Sequence, residues 1–409
     1  MRWFAVVILF SVLLPAQQFK PNRRFPAQLQ LSGDWYSLPV GRSEYRLRTN
    51  HTLARISIRF TNTTTFGLSW DTTWIQFPTL VAGAFAWRLG KGASPGIWHL
   101  AEPILPQQTL ARFLDPANDY TFELLTTSGP IVAPGTPAAT TSMIERFRDF
   151  AGVQGYFIDL KSVDADPGVT WLPPRPAPYP EMQVLILGDS LADGLVPFNA
   201  AGAAHPYGAL VSWPRRAVEL GCSLLPNPRT PRFINHSFRG WWGCELALPY
   251  MGYSTEQAFR SANPWAQPRF DLIFDRSHLF APPFELPNPE LIIYQLAQND
   301  ILTGRLANPA AYRQDIVNNI TMLRVKWPNA KILVAATHLS TPLGLTQRQE
   351  MQAAMNFLGY RTDPKLDFVD TGAILDVLGL SPQPAHPLSF IHDVWTYFIG
   401  IQLFWFLQV

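Results

Sequence analysis

The chain of 409 residues is expected to fold as two domains, an all-β sandwich followed by an α/β unit built on a parallel sheet. Three observations predict this. From about Ser32 to Asp166 the chain is rich in Thr, Val, Phe and Trp and alternates apolar with polar residues, the mark of strands with one wet face. Beyond Val184, short apolar runs take turns with segments of helical spacing, the pattern of a parallel sheet with crossover helices. Between the two lies Pro173-Pro174-Arg175-Pro176-Ala177-Pro178-Tyr179-Pro180, where ring-locked φ angles and missing N–H groups forbid helix or central strand. The division that follows is a leader at 1–16, a sandwich at 17–172, a stiff connector at 173–180 and the α/β unit at 181–409.

Taken in order, Met1-Arg2, the apolar stretch Trp3 to Leu14 and then Pro15-Ala16-Gln17 form the charged start, short apolar core and small residue of a secretory signal peptide. Cleavage is expected after Ala16. The run is too short to cross a bilayer, which takes about 20 apolar residues. Four sequons, at Asn50, Asn62, Asn235 and Asn319, agree with a secreted glycoprotein. So does the pair Cys222 and Cys244, which an oxidising compartment would allow to bond, the alternative being two small buried hydrophobes. Neither cysteine has a neighbour at zinc spacing, so no metal site is expected.

In the sandwich, Ala54 to Phe60 and Tyr120 to Leu125 show the alternation best, and Gly, Pro and Asn turns separate such strands. In the α/β unit, Val184 to Leu187, Leu291 to Leu296 and Lys331 to Ala336 read as buried strands and Tyr312 to Trp327 as a helix. Val394 to Val409 reads as a terminal helix against the sheet, a membrane anchor being the sharper alternative. Charge excludes one class of partner: 32 Lys+Arg against 30 Asp+Glu leave a net charge of +2 with no long run of one sign. There is no electrostatic case for nucleic acid. Arg215-Arg216 and His205 are read as surface.

The chemistry is carried by four short stretches. Gly188-Asp189-Ser190-Leu191 follows the first parallel strand, and in open α/β sheets ligands are met at the carboxyl ends of strands. Nucleophilic acyl transfer needs such a serine, a base to take its proton and donors for the oxyanion. Phe233 to Gly240 reads as a strand running out to a small residue whose N–H can approach a substrate. Ala297-Gln298-Asn299-Asp300 delivers a side-chain amide to the same edge, and His386-Pro387, before the last helix, offers an imidazole. Each has a bland alternative: a turn, a turn glycine, a strand cap, a surface histidine.

In this order the four stretches resemble the SGNH, or GDSL, hydrolase superfamily over roughly residues 181 to 409. The resemblance implies a flavodoxin-like α/β/α domain, Ser190 as nucleophile, His386 as base, and an oxyanion hole from the Ser190 and Gly240 N–H groups with the Asn299 amide. With a β-sandwich in front, the chain is most similar to carbohydrate esterase family 2, which implies a jelly-roll-like first domain. The expected activity is hydrolysis of acetyl or other small acyl esters on polysaccharide, without metal or cofactor. A lipid esterase and a degenerate glycan binder are the alternatives.

The departures from the family pattern are specific. Gln383 stands where an aspartate would orient the histidine, Ala297 where a glycine is usual, and Leu388 where asparagine often follows His-Pro. An amide can hold the imidazole but cannot offset its charge, and neutralising such an aspartate costs about 10⁴ in rate elsewhere; family members that work as a Ser-His dyad show that it is dispensable. His392 is the reserve base. Trp241-Trp242 is a candidate stacking platform for a sugar ring, against core packing as the alternative.

Overall fold

The structure is a computed structural model that describes residues 17–19, 28–32, 36–40, 44–49, 53–70, 85–102, 105–127, 158–189, 191–192, 208–235, 288–296, 300–301, 305–384 and 386–408. The expected leader, Ser190, His205, Gly240, Trp241, Trp242, Cys244, Asn299 and the Asn50 sequon lie outside these residues.

The N-terminal half is a sandwich of two antiparallel sheets. Its strands are β1 (Gln17–Phe19), β2 (Leu29–Ser32), β3 (Tyr36–Val40), β4 (Glu44–Thr49), β5 (Arg55–Thr61), β6 (Phe66–Trp70), β7 (Phe85–Lys91), β8 (His99–Glu102), β9 (Gln107–Ala111), β10 (Tyr120–Thr126), β11 (Ile158–Ala165) and β12 (Thr170–Leu172). One sheet runs β3-β4-β11-β6-β9 with β1 on β11, the other β12-β5-β10-β7-β8 with β2 on β5. The alternation explains the packing: Ile56, Ile58 and Phe60 of β5 and Tyr120, Phe122 and Leu124 of β10 point inward and are buried. Phe66 locks the layers, its ring 4.6 Å from those of both Phe60 and Phe122.

The second half is a five-stranded parallel sheet of β13 (Glu181–Gly188), β14 (Thr230–Asn235), β15 (Leu291–Gln295), β16 (Lys331–Ala336) and β17 (Leu366–Asp370) in the order β14-β13-β15-β16-β17. Taking β13 as first, that is the flavodoxin-like order 2-1-3-4-5. The helices are α1 (Gly208–Val211), α2 (Trp213–Leu224), α3 (Pro309–Lys326), α4 (Pro342–Phe357), α5 (Thr371–Val377) and α6 (Ser389–Gln408). Val184 and Ile186 of β13 belong to the core under α2 and α6, Leu185 and Leu187 to the core under α3 and α4. A strand covered on both faces must be apolar throughout, which is why this run has no alternation.

Helices α2 and α6 cross at two glycines. A Cβ on Gly400 would come within 2.7 Å of the Leu220 side chain, and one on Gly221 within 2.9 Å of Leu403. Cys222 is a free thiol fully buried beside this crossing, pushed up to about 12 by burial. Cys222 packs as a small hydrophobe in the core, and the expected pairing with Cys244 falls on a residue outside those described. Helix α6 begins five residues earlier than the sequence suggested and is long and apolar enough to cross a membrane by length and composition. Its inner side, including Trp395, Ile399 and Leu403, is buried in the core, while Tyr397 and Trp405 are exposed.

Two sequons are also corrected. Asn319 falls in phase with Ile316, Ile320 and Leu323 on the inner stripe of α3, fully buried, donating to the Tyr294 hydroxyl at 3.1 Å. Asn235 is buried at the end of β14. Neither amide can take a glycan in the folded chain. Asn62 is exposed, at a turn with φ of 59°.

Candidate active site

The parallel register brings the carboxyl ends of three neighbouring strands together: Gly188 of β13 stands opposite Gln295 of β15, and Ile186 opposite Asn235 of β14. Ser190 comes two residues after β13, Gly240 five after β14 and Asn299 four after β15. The described ends of the three strands lie along one edge of the sheet, at the switch between β13 and β15 where such folds take ligands.

Asp189, Leu191 and Ala192, just beyond β13, are tied down from three sides. Asp189 is fully buried, and its Oδ1 accepts the N–H of Leu191 at 3.0 Å and the side-chain amide of Gln295 at 3.1 Å. The Leu191 carbonyl accepts the Ser212 hydroxyl at 2.8 Å, and the Ala192 carbonyl accepts the Asn235 amide at 3.1 Å. A buried carboxylate is costly unless donors reach it, so the turn has one low-energy arrangement.

The histidine side is built on the end of β16. His338, beyond Ala336, is almost fully buried, and its Nε2 lies 2.9 Å from the Pro384 carbonyl oxygen. A carbonyl only accepts, so Nε2 carries the proton and donates. Burial lowers this imidazole to about 4, which keeps it neutral near pH 7. His338 thus clamps the loop two residues before His386, which is half-buried. Behind it the Trp395 ring lies 5.2 Å from the rings of both His338 and His392, while its Nε1 donates to Thr371 at 3.0 Å.

Gln383 donates its amide to the Leu380 carbonyl, three residues back in its own loop. It therefore braces the turn that carries His386, and an aspartate there would lose that donor. His392, the reserve base, is corrected: it is fully buried in α6, its Nδ1 accepts the Trp213 N–H at 3.2 Å, and burial pushes it down to about 3. An imidazole so enclosed is a poor proton acceptor. Arg215 is also not simply surface, since its side chain is 16% exposed and pairs with Glu219 at 2.8 Å. Arg216 pairs with Asp393 and so links α2 to α6.

Gln295 and His338 are the site residues that the sequence reading missed. A donor for Asp189 was the available clue for Gln295, since the amide closes an apolar strand four residues before Asn299. Nothing local marks His338, whose partner is 46 residues away. Among the described residues no group of three His, Cys, Asp or Glu is placed to hold a metal ion.

The sheet in flavodoxin order has helices on both faces and His386-Pro387 just before the last helix. Solved structures of similar fold add the sandwich in front. The chain is similar to a family two carbohydrate esterase from Cellvibrio japonicus, with a TM-score of 0.59 at 13% identity, over 96% of this chain and 98% of that one. An acetyl xylan esterase from the rumen bacterium Butyrivibrio proteoclasticus matches with a TM-score of 0.58 at 12% identity, over 95% and 98% of the two chains. A salicylyl-acyltransferase from a tetracycline biosynthetic pathway matches with a TM-score of 0.52 at 11% identity, over 93% and 95%. No protein-family model and no curated protein matches the sequence. The fold is that of carbohydrate esterase family two, sandwich and SGNH-type domain together.

Proposed function

We propose that this chain is a secreted serine esterase that removes acetyl or other small acyl groups from polysaccharide. Its sandwich would be residues 17–172, its connector 173–180 and its catalytic domain 181–409. The observation that carries the reading is the bracing beyond β13 at the switch point, where Gln295 holds Asp189, Ser212 holds Leu191 and Asn235 holds Ala192. Ser190 attacks the ester carbonyl, His386 takes its proton and returns it to the departing sugar hydroxyl, and water releases the acyl group by the same two steps. The Ser190 and Gly240 N–H groups and the Asn299 amide face the oxyanion. Trp241 and Trp242 would stack on the sugar. Secretion is proposed from the apolar leader and awaits sequencing of the N-terminus of exported protein.

Activity on a chromogenic acetyl ester and on acetylated xylan tests the reading. Turnover of both is the expected result, and rates rising steeply with acyl-chain length would instead favour a lipid esterase. The name of the similar acyltransferase supports a narrower variant, in which a hydroxyl other than water takes the acyl group. A chain that binds glycans without turnover is the reading favoured by Gln383, whose amide already serves its own loop.

His338 is a positioning residue under this proposal. His338→Ala frees the loop that carries His386, and kcat is expected to fall by about 10–100-fold with little change in KM, because misplacing a base by an ångström costs that order. His338→Gln, which keeps a donor near Nε2, should restore most of it. Equal losses in both variants would show that His338 matters to stability alone.

A further inference from the structure

The residues that alternate with the sandwich core do not face open solvent. Along β5, β10 and β7 the outward set includes Arg55, Ser57, Arg59, Thr121, Glu123 and Arg88, with Glu123 directly across from both Ser57 and Arg88. Arg215 and Glu219 of α2, Arg232 of β14 and the connector from Pro174 to Pro178 stand over this face and leave a cleft of about 660 Å³. It runs beside the start of β14, whose far end carries Asn235.

The charges in the cleft do not balance. Arg59 and Arg175 share Asp119, and Arg55 and Arg88 share Glu123, while Arg215 pairs with Glu219 and Arg232 with Glu181. Six guanidinium groups face four carboxylates, an excess of two positive charges. Burial first, and then the nearby charge of Arg215, hold the pKa of the Arg88 guanidinium below its usual value, Glu219 opposing them. Arg88 is held in place, its guanidinium carbon 4.7 Å from the centre of the Trp98 ring. The Thr121 hydroxyl, shielded from solvent in the wall, has no hydrogen-bond partner among the described residues.

We propose that this cleft is a binding site for an anionic saccharide, a uronate-bearing segment whose carboxylate is taken by Arg88 and Arg215 and whose hydroxyls meet Gln30, Ser57 and Thr121. A planar carboxylate matches the guanidinium fork. The volume lies within the range of small-molecule sites, roughly 300–1,000 Å³, and far exceeds what a lone anion needs. Gln30, Ser57, Thr121 and the arginines supply polar contacts for sugar hydroxyls, beside apolar wall residues that include Trp98, Leu125 and Phe233. The site would let the chain hold an acidic polysaccharide away from the candidate active site. The inference does not rest on ester hydrolysis, because binding alone is measured.

Calorimetry on the full chain with 1,4-linked trigalacturonate, uncharged 1,4-linked galactotriose and inorganic phosphate tests it. Trigalacturonate is expected to bind, with Kd raised about tenfold or more by Arg88→Gln and by Arg215→Gln, and raised also between 0.05 and 0.5 M salt. Ser190→Ala should bind as the parent does. If trigalacturonate does not bind, or neither arginine variant weakens it, the proposal fails. Equal binding of galactotriose would overturn the role of charge, and equal binding of phosphate would mean an adventitious ion only. Should Arg88→Gln melt early through loss of its Glu123 partner, Arg215→Gln decides alone.

Discussion

Ser190→Ala is expected to abolish ester hydrolysis, and His386→Ala to cost a similar factor of about 10⁴–10⁶ in kcat. The two act as one unit, so the double variant should be scarcely worse than either. A serine without a base is a weak nucleophile near pH 7, and a base without the serine has nothing to activate. His392→Ala separates this assignment from its rival. Its imidazole is enclosed in α6 and already occupied by the Trp213 N–H, so its loss should lower the melting temperature yet leave kcat/KM of the folded fraction within a few-fold. Assays of kcat/KM on one acetyl ester, with melting curves for each variant, give the comparison. If His392→Ala abolishes turnover and His386→Ala does not, the base has been misassigned.

The parallel sheet was legible because its strands are buried on both faces. Val184 to Leu187 must satisfy one core with its even residues and another with its odd ones, and no polar residue fits either. The sandwich was legible for the opposite reason, since β5 alternates throughout and β10 does so from Tyr120 to Leu124. The sequence could not say that the polar face of those strands would be half-enclosed, because α2 and β14 reach it only through the fold. The same limit hid Gln295 and His338, each an ordinary polar residue until a partner distant in sequence arrives. Asn319 is a different lesson. The sequon is a local pattern, but burial is set by helical phase, and Ile316, Ile320 and Leu323 already placed that asparagine on the inner stripe. Asp189 was read as part of a catalytic signature, and the structure gives its physical role: it fastens the turn to β15.

Acid should unfold the α/β unit through two histidines. His338 and His392 are held down to about 4 and about 3, in both cases first by burial. The charges of His386 and Arg348 add to this at His338, where the bond to Pro384 opposes it; those of His338, Arg216 and His386 add to it at His392. An unfolded chain would protonate both near pH 6.5. Below that pH the unfolded state binds protons that the folded state refuses, so stability falls as pH falls, at about 1.4 kcal/mol per unit for each histidine until its folded value is reached. From pH 7.5 to 4.5 the loss is on the order of 5 kcal/mol for the pair, a large part of the roughly 5–15 kcal/mol that holds a typical protein together. His392→Asn keeps an acceptor where Nδ1 meets the Trp213 N–H, and His338→Gln keeps a donor for Pro384, so both remove the titration while preserving the contact. Hydrogen exchange of amides in β16 and α6 reports the stability of this unit by itself. The double variant is expected to lose several kcal/mol less than the parent between pH 7.5 and 4.5. Parallel losses in parent and variant would mean that the two imidazoles take up protons in the folded state as readily as in the unfolded one, and that acid acts on this domain through other groups.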